Sequence, residues 1–336
     1  MQSISFGDLA TSFQSIRSNI RLKAEMQRLS LELTTGKIGD IKSVTAGDLV
    51  NFNGIEQALS GLAAYKTSAS EAAFFAETVQ RSLENVQQIT SQTGPALLLV
   101  GSTDDATLLQ AAAEDARGRF YDVISTLNTK VADRAILAGT ATGGTALASA
   151  DTILAELKTA IAAETTAAGV EAVVDAWFDD PGGGFETVGY LGDATDLAPF
   201  SIGPGDRASL SLRADDGRLR DMMKAFSLAA LVADDALPGQ QSERAALINS
   251  AATRLLAADK AMAEMRAGVG SFEARIENAQ ARNSAETSAL EIARTDLFGV
   301  DPYQAATELQ AVEFQLQSLY TITARLSRLS LTEYLR

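Results

Sequence analysis

Residues 309–331 read LQAVEFQLQSLYTITARLSRLSL, and apolar side chains return every three or four positions along them. The resulting seam consists of Leu309, Val312, Leu316, Leu319 and Leu326, with Thr323 at its one polar position. The other end of the chain has the same spacing in Phe6, Leu9, Phe13, Ile16 and Ile20. Steps of three and four place side chains on one face of a helix, as coiled-coil packing requires. Each stripe must be buried against the other terminus, a neighbouring subunit or a membrane surface.

Helical patterns continue inward from both ends and predict a mainly α fold. We expect helices over residues 5–34, 47–93, 104–137 and 218–235, and a terminal helix over 302–331. Gly94-Pro95 predicts the end of the second helix, because proline lacks the donor that a helix interior needs. A further seam runs from Ile248 to Ala279 in steps of three and four, which predicts one long helix there.

The centre of the chain is richer in glycine and proline than the rest. Residues 139–217 hold 12 of the 25 glycines and three of the six prolines, which excludes a continuous helix. Short strands are predicted at 185–191 and 208–213, and short helices at 151–164 and 170–178. We interpret this part as an inserted, turn-rich α/β domain in which Trp177, the one tryptophan, is buried.

The predicted plan is nested, with terminal segments that pair around an inner bundle. Residues 1–40 and 301–336 form the two halves of a terminal helical domain, 41–138 and 218–300 form the two halves of an inner helical bundle, and 139–217 form the inserted outer domain. The breaks at 36–47 and 298–302 are predicted joints between the layers. Folding the chain back on itself brings the first and last helices together.

Composition excludes several chemistries. The chain of 336 residues has no cysteine and no histidine, so disulfides, Cys/His zinc sites and triads that use His or Cys are absent. Its paired aspartates lie at predicted helix ends and turns without the spacing of a calcium loop, and we interpret them as caps. The sequence therefore predicts no catalytic residue, no metal site and no cofactor, and a protein that is not an enzyme.

Charge is distributed unevenly along the chain. The net charge is −15, yet residues 1–40 carry five Lys and Arg against four Asp and Glu, and residues 303–336 carry three of each. An acidic chain is unsuited to nucleic acid or an anionic membrane, so neither is a predicted partner. The neutral ends suit close association between helices. The start of the chain lacks the basic and apolar regions of a cleaved signal peptide, and no apolar run is long enough to span a bilayer.

Motifs at both ends resemble the flagellin superfamily. Asp301-Pro302-Tyr303 leads into ATEL at 306–309, QLQSLY at 315–320 and a closing LSLTEYLR at 329–336, similar to the last helix of that family. RLSLELTTGK at 28–37 resembles the turn after its first helix, and DRAILAGT at 133–140 resembles its exit from the inner helices. The Tyr334-Leu335 close is more similar to hook-filament junction proteins than to filament subunits. Residues 38–50 depart from the Asp-rich basic stretch that is typical of filament flagellins.

The resemblance implies a structural subunit of the bacterial flagellum, extracellular and located at the hook-filament junction. It implies export in unfolded form through the flagellar type III apparatus, without a cleaved signal, and assembly through the terminal helices. The implied partners are further copies in a ring, a neighbouring hook-associated protein, flagellin, an export chaperone and the export gate. The predicted assembly interface comprises Phe6, Leu9, Phe13, Ile16, Ile20, Leu309, Val312, Leu316, Leu319, Leu326, Leu329, Leu331, Tyr334 and Leu335.

Two alternatives stay open at this level. A divergent flagellin would build the filament itself and polymerise without limit. A cytoplasmic coiled-coil scaffold or chaperone would have terminal helices that are already packed in the free monomer, and it would not be exported.

Overall fold

The computed structural model describes residues 6–39, 50–103 and 105–334, with side chains from 13 to 325 within those ranges. The helices are α1 (Phe6–Thr35), α2 (Val50–Gly101), α3 (Ala106–Leu127), α4 (Ala150–Ala160), α5 (Ala167–Asp179), α6 (Gly217–Ala233), α7 (Gln241–Phe298) and α8 (Pro302–Tyr334). Two antiparallel hairpins are formed by β1 (Lys130–Val131) with β2 (Arg134–Ala135) and by β3 (Phe200–Gly203) with β4 (Asp206–Ala208). The predicted mainly α fold with a small mixed insertion is confirmed.

The described chain divides into two compact units. The terminal unit contains the described residues up to 63 and those from 284 onward, and the central unit contains residues 64–283. Helices α2 and α7 each contribute residues to both units. The five predicted domain boundaries stay predictions.

The core of the central unit surrounds α6. Every side chain of α6 from Met222 to Val232 is buried, and a helix that is buried on all faces must be enclosed by neighbours. Helices α3, α4 and α5 pack against it. The same continuous cluster includes Phe120 of α3, Leu157 of α4 and Phe178 of α5. Residues from the predicted insertion therefore share one core with the flanking helices.

Helix α2 does not end at Gly94-Pro95 as predicted, but continues to Gly101. The helix tolerates Pro95, which has no backbone N–H to donate, because α2 and α7 approach closely at this point. A Cβ added to Gly94 would lie 3.3 Å from the Leu256 side chain, and Leu97 beyond the proline is buried. The hydroxyl of Thr93 donates to the Ile89 carbonyl at 2.7 Å and gives this part of the helix a further hydrogen bond. Packing outweighs the local cost of proline here.

Helix α3 is shorter than predicted and ends at Leu127. The next residue, Asn128, bonds the Leu147 backbone in both directions, at 2.8 and 3.0 Å, and so diverts the chain. Ala132 and Asp133 then adopt positive φ in the tight turn between β1 and β2. The apolar residues 135–138 are buried beyond a helix rather than within one.

The strand predictions were only partly right. Residues 185–189 form one π-helical turn, in which the Tyr190 N–H donates to the Phe185 carbonyl at 2.6 Å. Only Ala208 of the predicted 208–213 strand is in β4. The β3–β4 hairpin is fixed to α7, because Asp206 accepts from Arg275 at 2.6 Å and from Arg282 at 2.9 Å. Trp177 is buried, as predicted.

Candidate assembly interface

Helices α1 and α8 form an antiparallel pair in the terminal unit. Leu22 and Leu29 of α1 and Val312 and Leu316 of α8 are buried together, and Met26, Leu309 and Leu319 pack around them. Spacings of four and three along each helix bring these side chains to one face. The predicted pairing of the first and last helices is confirmed.

The pair is held at one end by a joint between four helix ends. The Val300 N–H donates to the Gly36 carbonyl at 3.2 Å, and the Ile38 N–H donates to the Phe298 carbonyl at 3.3 Å. Gly36 has a φ of +66°, the left-handed conformation that commonly ends a helix. The rings of Phe52 on α2 and Phe298 on α7 meet edge to face with centroids 5.1 Å apart. The end of α1 and the start of α8 are therefore fixed to each other by backbone and ring contacts.

A buried carboxylate completes this joint. Glu32 is buried, and its Oε1 accepts from Arg28 at 2.7 Å and from the Gly39 N–H at 2.8 Å. A buried carboxylate is costly unless it is paired in this way. Its hydrogen bond to Gly39 holds the chain that leaves α1 against the last turn of that helix.

The opposite face of α1 is apolar and exposed. Phe13, Ile16 and Ile20 are 73%, 56% and 65% exposed, and Leu31 is exposed further along the helix. At about 100° per residue these four side chains share one stripe, on the far side of the helix from Leu22 and Leu29. We call this stripe the outer α1 face. Because exposed large apolar patches mark interaction sites, it is the strongest candidate interface in the terminal unit.

Helix α8 has a matching aromatic face. Tyr303 and Phe314 are exposed on the side of α8 that points away from Val312 and Leu316, and Tyr320 is half exposed nearer to the pair. Hydrogen bonds from Asn19 and then Lys23 lower the pKa of the Tyr320 phenol, which places this tyrosine at the edge of the α1–α8 contact. Each helix of the pair therefore has one apolar face inside the pair and a second one outside it.

The predicted interface residues fall into three groups. Leu309, Val312, Leu316 and Leu319 lie inside the α1–α8 pair, whereas Phe13, Ile16 and Ile20 lie on the outer α1 face. The side chains of Phe6, Leu9, Leu326, Leu329, Leu331 and Tyr334, and the whole of Leu335, lie outside the described residues. The α1 residues that pack on α8 (Leu22, Met26 and Leu29) were missed, although their spacing of four and three signals a second apolar face.

Neither a metal cluster nor a membrane-spanning helix is found among the described residues. Within the described ranges, no group of three or more acidic side chains is arranged to hold a metal ion. The helices in those ranges are also too short or too polar to cross a bilayer.

Comparison with known proteins identifies the C-terminal part of the chain. Residues 253–335 match the family model described as the bacterial flagellin C-terminal helical region. The chain is flagellin-like in its C-terminal region. This flagellin-like region runs from the middle of α7 through the turn at Phe298 into α8, so it supplies one half of the α1–α8 pair. The resemblance that residues 301–336 indicated is confirmed.

Two solved structures are similar to the chain at 14% identity and a TM-score of 0.49 each. The match to FlgL from Bacillus cereus covers 72% of this chain and 100% of FlgL. The match to a putative flagellar hook-associated protein from Vibrio parahaemolyticus covers 75% of this chain and 99% of that protein. No curated protein matches the sequence significantly.

Proposed function

We propose that this chain is a structural subunit of the bacterial flagellum that forms the adaptor between hook and filament. It is exported unfolded by the flagellar type III apparatus and assembles outside the cell as a ring of identical copies. One side of the ring contacts a neighbouring hook-associated protein and the other contacts flagellin. An export chaperone and the export gate are its partners before assembly. Its role is mechanical and not enzymatic.

The two-faced character of α1 carries the proposal. One face, with Leu22 and Leu29, is buried within the chain, and the outer α1 face is exposed over at least four turns. A stable free monomer gains nothing from this outer stripe, which raises the risk of aggregation. A subunit that buries it against the next copy gains roughly 1.5–3 kcal/mol for each large apolar side chain. An assembly role explains the stripe, and a scaffold with fully packed termini does not.

The deciding experiment replaces the outer α1 face without disturbing the pair. In the source bacterium, the Ile16→Asp/Ile20→Asp variant should be exported but fail to assemble, so that cells keep hooks and release filament protein into the medium. The matched control is Gln14→Asp/Arg21→Asp, which changes two exposed polar positions on the flank of the same helix. Electron microscopy of cells and immunoblots of the medium separate failed export from failed assembly. Normal filaments in the Ile16→Asp/Ile20→Asp strain would refute the proposed interface.

A second measurement separates the adaptor from a filament flagellin. Purified wild-type chain should stop at short rings under conditions in which flagellin polymerises. Long filaments made of this chain alone, seen by negative-stain microscopy, would instead favour the filament subunit.

A further inference from the structure

A cleft in the central unit has no role in the interface described above. It has a volume of about 260 Å³ and lies beside the β1–β2 hairpin. Phe75 and Phe200, with ring centroids 5.8 Å apart, form one wall, and Val131, Ile136 and Leu197 line the remainder. Phe74 lies at the mouth and is 58% exposed.

The size and lining of the cleft favour a side chain as its occupant. Small-molecule sites have volumes of roughly 300–1,000 Å³ and several converging polar groups. This cleft is smaller and mostly apolar, with Glu71, Arg134 and Thr142 as its polar lining residues. One or two aliphatic side chains would fill it.

Charge favours contact between copies at this place. The central unit as a whole holds 18 Lys and Arg against 30 Asp and Glu, so two copies repel each other over most of their surface. Arg134 lines the cleft together with Glu71, and Lys130 lies on the adjoining strand β1 of the same hairpin. Among the described residues, neither hairpin cation has a carboxylate within salt-bridge distance, whereas Arg213, Arg254 and Lys224 elsewhere in this unit are paired. Two cations therefore remain available to an approaching acidic segment.

The turn between α2 and α3 presents a complementary surface. Leu99 is 72% exposed, and Leu98 and Leu108 are also exposed. Asp105, which caps α3, lies next to them in the chain and is exposed too. Leu99 follows Phe74 by 25 positions in the same helix, which separates them by about 38 Å at the helical rise of 1.5 Å per residue. A chain cannot fill its own cleft with its own turn.

We propose that the hairpin cleft receives Leu99 from the α2–α3 turn of a second copy of this chain. The aliphatic side chain packs between Phe74, Phe75 and Phe200, and Lys130 and Arg134 face Asp105 of the turn. This contact joins two different surfaces of identical chains, and such heterologous contacts build rings or open helical arrays. The inference rests on the proposed self-assembly and adds a contact in the central unit to the one at the termini.

The cysteine-free sequence allows a direct test. Chains that carry Phe74→Cys and Leu99→Cys separately, with tags of different size, are mixed and oxidised, and the mixed dimer is followed by electrophoresis. The matched control pairs Phe74→Cys with Leu191→Cys, since Leu191 is also an exposed leucine of the same unit. The 74–99 pair should cross-link about tenfold faster than the 74–191 pair, the ratio expected for a modest specific contact. Equal rates, or no 74–99 product, would overturn the proposal.

The same assay separates this inference from the terminal contact. Cross-linking at 74–99 should persist in the Ile16→Asp/Ile20→Asp background, because the cleft is in the central unit. Lys130→Glu/Arg134→Glu should slow it, whereas Lys158→Glu/Lys260→Glu, which changes the net charge equally at exposed positions elsewhere, should not. Cross-linking that survives while cells fail to use the chain at the hook would uphold the cleft and reject the proposed function. Assembly at the hook without any 74–99 product would uphold the proposed function and reject the contact at the cleft.

Discussion

Ile20 and Leu22 are two residues apart on α1 and point to opposite sides of it, with 65% and 8% of their surfaces exposed. Leu22 packs with Val312 and Leu316 of α8, and Ile20 packs with nothing comparable in the described chain. A step of two residues turns a helix by about 200°, so both positions are set by the same backbone. In the proposed assembly, the α1–α8 pair is the inner layer of a larger contact whose outer layer lies on other molecules.

This relationship predicts opposite results from two similar truncations. Leu22→Ala should destabilise the α1–α8 pair by about 2 kcal/mol, at the low end for a buried leucine, because its cluster is small. Ile20→Ala should change monomer stability by less than about 0.5 kcal/mol, as for an exposed residue, yet weaken assembly. Amide hydrogen exchange of residues 13–35 in the purified monomer measures the first effect, and sedimentation of assembled material measures the second. Equal loss of protection in both variants would show that Ile20 is packed in the monomer.

The joint predicts a contrast between two glycines of the terminal unit. A Cβ at Gly299 would overlap the Thr295 carbonyl oxygen, so Gly299→Ala must displace the turn before α8 and the backbone hydrogen bond between Val300 and Gly36. A Cβ at Gly61, inside α2, would contact nothing, so Gly61→Ala should stabilise by roughly 0.5–1 kcal/mol. Urea unfolding of both variants measures the difference. A Gly299→Ala protein as stable as wild type would mean that the joint relaxes freely.

The sequence was sufficient for the helical layout of the termini, because their periodicity is long and uninterrupted. Leu309, Val312, Leu316 and Leu319 were recognised as one seam, and all four face the chain's own first helix. Pattern alone did not show which face of α1 meets them, because α1 has two apolar faces and the longer one, Phe13 to Leu31, points outward. Which seam is inner and which is outer depends on the register set by Gly36, Phe298 and Val300, which are distant in sequence.

The central unit was harder to predict for a different reason. Gly94-Pro95 and the glycines between 182 and 189 have the local signature of breaks and turns, but contacts with distant residues decide what they do. Because Gly94 has no side chain, Leu256 can pack closely against it, and the ring of Trp177 packs against Gly184 in the same way. The residues that line the hairpin cleft come from positions 71 to 200, so no short stretch of sequence could predict it.

Gly184 and Trp177 give a test of the insertion's packing. A Cβ at Gly184 would overlap the Trp177 Nε1, so Gly184→Ala must move the indole ring that packs edge to face on Phe178 at 4.8 Å. Trp177 is the one tryptophan of the chain, so fluorescence reports on this position alone. We expect a red-shifted emission and a loss of stability, since overpacking costs about 1–3 kcal/mol. Gly143→Ala, where a Cβ would meet nothing, is the control. Identical spectra for all three proteins would place the ring elsewhere.

Alkaline pH should loosen the central unit through Tyr190. Burial, and next the negative charge of Asp215, raise the pKa of this phenol from 10.0 to about 12, and its hydroxyl donates to the Asp193 carbonyl at 2.9 Å. An acid whose pKa is higher in the folded state stabilises the fold below its unfolded pKa, and this contribution is lost as the pH rises through the folded value. Stability should therefore fall between pH 10 and about 12 by an amount that Tyr190→Phe abolishes. Urea unfolding across that range, followed by Trp177 fluorescence, measures it for wild type and variant. Parallel pH profiles for the two proteins would show that Tyr190 titrates no differently in the folded and unfolded chains.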